Sequence, residues 1–578
     1  MKKSKFFELI YSNKYAHYMI ILIVTLFLSI HMMDFQIYDT HDGSFHLLRI
    51  LVTNKQLHDG LFPPIISPYS FHGIGVGMNL FYPPISTYVP IIMMSIFKTT
   101  AGNALKLFSV LSIFLSGLFM YLCMIEFTRN RKIAIISAIV YIIMPYKLNN
   151  IYVRVAVGEI AASVFIPLVF LGLHNLIEGD GNKHFIITVG AVGIILSHTI
   201  SSMYIALFSF IYVIINFKDL IDLTKIKRLV VNIIFIVLIS GVFVFPYIET
   251  TQSAKYIINT DECMGTYDEF LNLKRLELSH LFSNREVENN MILYLGMPTI
   301  IGLVLAIISV PLLIKNKNIN KNYTIFLLFS VLCIWMSTKY FSWDKLPKIF
   351  SKLQFPWRMM EFGCFFMSYI VGVNYVTVLD KIPSILFIKE ILIFLLCIIS
   401  IIKITQFTFT LKTWGVFNDN EIEKNWESFY PKTNLDFAPF NTYSDETIYN
   451  GISMTLYSNN RDLIIINEEK SDRLYYSATV KNLKKGDIIS IPYLYYPYYE
   501  LEIVESGKTI LKEKPRESYN GMIEFEINKL VGEKVDINIY YKPSVLVILS
   551  YLVSLISVIS FIIYVAYFNI IIDRKEKM

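Results

Sequence analysis

Residues 18–30 read "YMIILIVTLFLSI" and residues 38–50 read "YDTHDGSFHLLRI". The first stretch carries no charge and suits lipid. The second sets two aspartates, two histidines and an arginine within thirteen residues. A basic start precedes the apolar run, and no small-x-small cleavage site follows it before Asp34. The run therefore reads as an uncleaved first span, and the polar stretch as the start of a loop outside the membrane.

Composition carries that reading to the whole chain. Of 578 residues, 54% are hydrophobic and 17% charged, and the mean hydropathy is +0.51. These values define a polytopic membrane protein rather than a soluble one. The net charge of +6 lies largely in short loops beside apolar runs, where Lys and Arg act as topology signals, so no nucleic-acid partner is implied. Cys123, Cys333, Cys364 and Cys397 fall in apolar runs and Cys263 stands alone in a polar loop. No metal-ligand or disulfide spacing appears.

Apolar runs of spanning length occur at roughly 17–33, 104–126, 131–147, 157–177, 184–198, 199–217, 229–247, 292–314, 322–338, 360–380, 385–404 and 544–571. A thirteenth candidate, 81–98, contains Pro83, Pro84 and Pro90. Basic clusters at 2–14, 129–132, 218–228, 315–321 and 574–577 are all cytoplasmic only if 81–98 does not cross. The expected layout is twelve spans with both termini inside and 81–98 as an interfacial or re-entrant helix. Its parts are a membrane domain over 1–404, an outer domain over 405–543, and a last span with a cytoplasmic tail over 544–578. The outer domain carries aromatic or alternating runs such as "DIISIPYLYY" and "VDINIYY" between turn-like "KKGD", "ESGK" and "VGEK". That spacing suggests a β-sandwich.

Charged groups near the outer ends of spans need an explanation, because charge at membrane depth costs a few kcal/mol. If 38–50 is helical, Asp39, Asp42, His46 and Arg49 share one face at spacings of 3, 4 and 3. A carboxylate beside an imidazole can act as a general base, or hold a divalent ion with water; a plain helix cap at Asp39 or Thr40 is the alternative. In "YVRVAVGEI", Arg154 suits a phosphate, and Glu159 suits either the site or a structural ion pair. His198 of "LSHTISS" is a site candidate or a structural turn residue. Arg358 and Glu361 of "LQFPWRMMEFG" follow Phe-Pro-Trp, which anchors a helix end or aims an arginine at an anionic headgroup. "FHGIGVGMNLFYPP" is glycine-rich, ends in Tyr82-Pro83-Pro84, and lacks the Lys-Ser/Thr of a nucleotide loop. The tyrosines of "YLYYPYYELEI" are strand core or a sugar-stacking surface.

Taken in order, "DGSFHLLRI", "LFYPP", "RVAVGEIAASVFIPLVFLGL", "LSHTIS" and "LQFPWR" resemble the bacterial membrane proteins called pyruvoyl-tetrahydropterin-synthase-related, or YfhO-like. The similarity covers about the first 400 residues. The chain has no clustered histidines of a pterin-synthase zinc site. The layout is similar to that of the C superfamily (GT-C) of membrane glycosyltransferases, which take sugar from a polyprenyl-phosphate carrier on the outer membrane face. By that resemblance the acidic residue after the first span acts on the acceptor. Asp42 is the leading match and Asp39 the second, because the paired acidic motif is here D-x-x-D. On that reading Arg154 and Arg358, with His198, stabilise the charge growing on the carrier phosphate, His46, Arg49, Tyr82 and Glu159 are further substrate-binding candidates from their position, and the acceptor is a glycan or envelope polymer. The resemblance implies the bacterial plasma membrane as the location. No cofactor is required by the residues, and a divalent metal ion is the one candidate. Two other readings fit the sequence: a transporter or flippase for a lipid-linked or anionic substrate, and a non-catalytic protein that binds an envelope polymer through its outer domain.

Overall fold

The structure, a computed structural model, describes residues 13–381 apart from 34, 35, 39, 70–72, 265, 273, 284, 288–290 and 316–318. It also describes 398, 402, 416–418, 435–442 and 455–577 apart from 472 and 473. Asp39 and the expected span 385–404, except for 398 and 402, lie outside the described residues.

Backbone groups in lipid must pair within their own segment, so the apolar runs become helices. In chain order the helices of ten residues or more begin with α1 (Lys14–Leu28), α2 (Gly43–His58) and α3 (Ile85–Phe97). Next come α4 (Ala101–Thr128), α5 (Arg131–Arg154), α6 (Val157–Ile177), α7 (Ile186–Ile195), α8 (Thr199–Ile215) and α9 (Leu223–Ser253). Met297–Val304 and Ala306–Lys315 form one bent pair; α10 (Lys321–Ser337), α11 (Pro356–Leu379) and α12 (Val545–Lys577) complete the set.

Six of these, α4, α5, α6, α9, α11 and α12, are long and apolar enough to cross a membrane, and the pair bent by 42° is a seventh if it is one span. The expected count of twelve is therefore not reached among the described residues. The difference lies in length. The runs expected at 17–33, 184–198, 199–217 and 322–338 appear as α1, α7, α8 and α10, of 10–17 residues. At 1.5 Å per residue such helices are about 15–26 Å long, against a hydrocarbon core of about 30 Å. The proline-bearing helix α3 has 13 residues and is short in the same way.

Local chemistry sets several helix ends. Thr100, Asn130 and Asp222 cap α4, α5 and α9 with side-chain oxygens that accept backbone N–H groups. Met144 leaves the helical region ahead of Pro145, breaking α5. After it, Asn150–Arg154 forms a π turn, and Val155 adopts φ +51°.

The helices run between two chemically distinct ends. Glu159 begins α6, and the carbonyl of Ile177 at its far end accepts from Lys225 Nζ. Glu361 lies in the first turn after Arg358, while Asp380 beyond α11 pairs with Lys132. Lys183–Glu126 and Lys321–Asp219 join the same far end. Basic loops thus gather at one end of the bundle and the buried charged cluster at the other.

Two antiparallel sheets form the C-terminal β domain. One has strand order β3 (Tyr457–Ser458), β6 (Ile488–Leu494), β10 (Met522–Glu526), β9 (Arg516–Glu517). The other has β4 (Ile464–Ser471), β5 (Tyr475–Lys481), β11 (Lys534–Tyr541), β7 (Tyr499–Glu505), β8 (Lys508–Glu513). Strand burial alternates as the pleat requires, with Tyr476, Ala478 and Val480 inward on β5. A further pair, β1 (Gln36–Tyr38) and β2 (Val416–Asn418), ties the first outer loop to the segment after α11. The two large sheets share one core with residues of that loop, among them Val52, Ile74, Val76 and Leu80. The tyrosines of "YLYYPYYELEI" belong to this core: Tyr493, Tyr496, Tyr498 and Tyr499 are buried.

Candidate active site

Glu159 is the centre of the cluster and is 1% exposed. Its Oε1 accepts from Arg154 Nη1 (2.9 Å) and Arg358 Nε (3.0 Å). Its Oε2 accepts from Tyr146 Oη and Asn150 Nδ2, both at 2.8 Å. One buried carboxylate thus gathers four donors from two chain segments, which is the condition for a charge to be tolerated at depth. The π turn brings Asn150 into position, since its Oδ1 also accepts from Arg154 Nη1 at 2.8 Å. Arg154 lies over the Trp357 ring at 4.9 Å, so the Phe-Pro-Trp segment packs the clamp as well as leading to Arg358. Arg358 Nη1 donates to the Leu353 carbonyl (2.9 Å) and to Gln354 Oε1. The Nη2 groups of both arginines hydrogen-bond no described residue. Two forks fixed on one side and uncommitted on the other suit the oxygens of a phosphate.

Asp42 reaches this cluster through its backbone. Its N–H donates to the Arg154 carbonyl at 2.8 Å, which docks the outer loop on the π turn. Asp42 occupies the N-cap position of α2, yet its side chain accepts no capping hydrogen bond. Thr40 Oγ1 accepts from the Gly43 N–H instead, at 3.0 Å. The Asp42 carboxylate is half-buried and lies in the field of Arg154, Arg358 and Glu159. Burial raises its pKa above the usual carboxylate value, and the two arginines oppose that shift without cancelling it.

On α2, His46, Arg49, Thr53 and Gln56 form a buried polar ridge at spacings of 3, 4 and 3. Burial first, then Arg49, holds the His46 imidazole well below its usual pKa, so it is neutral. Its Nε2 lies 3.4 Å from Tyr82 Oη, and its Nδ1 is buried without a hydrogen-bond partner. Arg49 is committed to the loop: it donates to Asn79 Oδ1, Ser86 Oγ and the Tyr82 and Pro83 carbonyls at 2.8–3.2 Å. Burial lowers its pKa to about 10, which leaves it charged at neutral pH. Arg49 and Tyr82 also line a cavity of about 320 Å³ with Tyr88, Val242, Phe243 and Tyr551, between α3, α9 and α12.

Gly158 is where these pieces meet. A Cβ on it would lie 2.7 Å from Tyr82 Oη, 3.0 Å from the Ser197 carbonyl and 3.1 Å from His198 Cδ2. Only glycine permits this approach. His198 N-caps α8, its Nδ1 accepting from the Ser201 N–H at 3.3 Å. The site therefore joins Asp42, His46, Tyr82, Arg154, Glu159, His198 and Arg358, with Arg49 one layer behind. Tyr146, Asn150, Gly158, Ser201 and Gln354 belong to it as well. For Tyr146, Asn150 and Gly158 the signals in the sequence were a polar "YKLNN" ending an apolar run and a glycine beside Glu159. Among the described residues no group of three or more His, Cys, Asp or Glu side chains could hold a metal ion. Asp42 and His46 are the described members of the set considered from sequence for a divalent ion, and no chemistry is routed through it.

Fold and site together define a polytopic membrane protein whose bundle gathers charged side chains at one end, beneath a β-sheet domain. Residues 80–412 match the 6-pyruvoyl-tetrahydropterin synthase related domain, a membrane-protein family, and the chain belongs to that family. This is the family that the order of motifs resembles. A curated relative, an uncharacterized protein of Lactococcus lactis subsp. cremoris (strain MG1363), is 22% identical over 351 residues, 57% of this chain and 54% of the relative. The chain thus spans about half the length of that relative. Two solved structures are similar in part. Arabinofuranosyltransferase AftD from Mycobacteria is 14% identical with a TM-score of 0.44, over 69% of this chain and 27% of that one. The Archaeoglobus fulgidus oligosaccharyltransferase, solved with Zn and sulfate, is 12% identical with a TM-score of 0.40, over 73% and 58%.

Proposed function

We propose that the protein is a membrane glycosyltransferase that moves a sugar from a polyprenyl-phosphate carrier to an envelope glycan or polymer on the outer membrane face. The observation that carries this reading is the Asp42 carboxylate, released from helix capping by Thr40 and lying in the field of two arginines that share Glu159. An acceptor hydroxyl attacks the anomeric carbon, and the bond from that carbon to the carrier phosphate breaks. Asp42 takes the hydroxyl proton, a role that a raised pKa suits. The electron pair of the broken bond stays on the phosphate, whose charge the free Nη2 groups of Arg154 and Arg358 stabilise. The cavity beside Arg49 and Tyr82 is apolar over most of its wall and lies between membrane helices, which suits the first isoprene units of a carrier. With the basic loops inside the cell by the positive-inside rule, the charged cluster faces outward at a bacterial plasma membrane.

The test compares the lipid-linked and envelope sugars of a deletion strain complemented with wild type or with Asp42→Asn. Wild type restores a sugar modification and Asp42→Asn does not, at equal expression. Restoration by both Asp42→Asn and Asp39→Asn removes the base. Transport of a lipid-linked sugar across vesicles with no covalent change would favour a flippase in its place.

A further inference from the structure

A second polar space lies behind Glu159. Ser112, Ser116, Tyr146, Lys147, Asn150 and Glu361 line a cavity of about 10 Å³, close to the room that one water molecule needs. Three atoms of its lining residues, Lys147 Nζ, Glu361 Oε1 and Ser116 Oγ, are buried with no hydrogen-bond partner. Lys147 Nζ lies over the Tyr141 ring at 3.7 Å; beyond that contact, an amine and a carboxyl without hydrogen bonds at this depth are costly apart and inexpensive when a shared water joins them. From Glu361 the line continues toward the site. Its Oε2 lies 2.7 Å from Ser201 Oγ, which lies 2.7 Å from His198 Nδ1. The Cδ2 edge of the His198 ring lies against Gly158, which Tyr82 Oη also approaches, and its Nε2 hydrogen-bonds no described residue.

A single hydroxyl between an imidazole and a carboxyl allows two arrangements of protons. In one, Glu361 donates to Ser201, Ser201 donates to His198 Nδ1, and Nε2 carries a hydrogen toward the site. In the other, Nδ1 donates to Ser201, Ser201 donates to an ionised Glu361, and Nε2 is bare. The backbone N–H of Ser201, aimed at Nδ1, favours the first arrangement at rest. Interconversion needs only protons moving along 2.7 Å contacts.

We propose that Glu361, Ser201 and His198 form a proton relay, backed by Lys147 through a cavity water, that delivers the His198 Nε2 proton to the departing phosphate. The proposal rests on the glycosyltransferase reading for its phosphate, while the proton chain itself does not. As the carbon–oxygen bond breaks, the Nε2 proton moves to the phosphate oxygen that receives the electron pair. The Ser201 proton moves to Nδ1, and the Glu361 proton moves to Ser201. His198 stays neutral throughout, which matters beside Arg154 and Arg358. Glu361 is left ionised, its charge balanced by the Lys147 ammonium across the water; after product leaves, solvent protonates Nε2, the Nδ1 proton returns to Ser201 and the Ser201 proton returns to Glu361. The charged groups facing the relay are Glu159, Arg154 and Arg358 at His198, with Glu159, Arg358 and Lys147 at Glu361. Ser201, Glu361 and Lys147 are positioning residues, since they act through His198.

Infrared spectroscopy of the full chain in lipid nanodiscs tests the chain of protons directly. Wild type is expected to show a protonated-carboxyl band that vanishes in Glu361→Gln and shifts in both Ser201→Ala and Lys147→Met. Transfer is measured with polyprenyl-phosphate-linked glucose, mannose or galactose, whichever wild type uses. Ser201→Ala and Glu361→Gln are expected to lower kcat about 100-fold with the donor KM unchanged. Ser201→Thr, which keeps the hydroxyl, recovers most of it. A missing wild-type band, a band indifferent to Ser201→Ala, or wild-type kcat in Ser201→Ala overturns the relay. A Ser201-dependent band with no transfer from any of the three donors leaves the proton chain standing and counts against the glycosyltransferase reading.

Discussion

At Asp42 two demands compete for one carboxylate, capping α2 and serving the site, and Thr40 removes the first by accepting the Gly43 N–H. The two residues should therefore respond in opposite ways. Thr40→Ala is expected to cost about 1 kcal/mol of stability, read as a lower thermal midpoint. Asp42→Asn is expected to abolish transfer while leaving that midpoint unchanged or higher. The sign follows from linkage: a carboxyl whose folded pKa is raised loses stability as pH rises from its unfolded to its folded pKa and carries the full penalty above it, so removing its charge removes the penalty. The same shift sets the pH profile. The acidic limb of kcat/KM should lie above 3.8, the ordinary value, with the rate falling as pH drops through it. His46, held neutral well below 6.5, should add no limb of its own near neutral pH. Glu159 is the contrasting case, a residue whose charge is structural. Glu159→Gln leaves Arg154 and Arg358 buried without an anion and is expected to cost about 3–5 kcal/mol, measured as a fall in thermal midpoint. "YDTHDGSFHLLRI" made Asp42, His46 and Arg49 legible, because helical spacing is a property of sequence. It did not make legible which of Thr40 and Asp42 does the capping, which depends on one backbone turn.

The α5–α6 junction shows where element-level reading stopped short. "YVRVAVGEI" announced a charged entry into a membrane helix but gave no sign of the π turn over Asn150–Arg154 or of Val155 at φ +51°. A β-branched residue in that region is strained, and π turns insert a residue that redirects side chains. Here the insertion lets Asn150 and Arg154 both reach Glu159 across the break. The count of twelve spans goes unconfirmed among the described residues for a related reason: apolar composition marks a segment as lipid-compatible but does not fix its length. Gly158 ties the elements together and yields a sharp test. Gly158→Ala drives a methyl to 2.7 Å from Tyr82 Oη, with the Ser197 carbonyl behind it at 3.0 Å. The change is expected to cost about 1–3 kcal/mol and most of the transfer activity. Tyr82→Phe removes the nearest of those atoms, so thermal midpoints of the single and double variants should reveal partial rescue. Independent, additive losses would mean that Gly158 and Tyr82 do not meet.

On the scale of the whole molecule, the β domain is not a module hung from the membrane part. Its core includes Val52, Ile74, Val76 and Leu80 of the first outer loop, and backbone hydrogen bonds cross the boundary, as from the Leu494 N–H to the Ile74 carbonyl at 2.8 Å. Tyr496 is the clearest link: its hydroxyl accepts from the Gly77 N–H at 2.9 Å and donates to the Phe437 carbonyl at 2.7 Å. The ring stacks on Tyr256 at 5.5 Å. Sequence alone showed an aromatic strand and left sugar stacking open; burial of these rings against the outer loop gives them a different task. Through Asn79 and the Tyr82-Pro83 carbonyls that Arg49 holds, the same loop reaches the site. Sheet, loop and site should then unfold together. Calorimetry of the detergent-solubilised full chain is expected to show the β domain and outer loop melting in one transition. Tyr496→Phe strands two buried backbone groups, which costs about 2 kcal/mol, and should lower that transition while speeding proteolytic cleavage within 59–77. Were the β domain an independent polymer-binding module, it would melt separately, and Tyr496→Phe would leave both the loop and sugar transfer untouched.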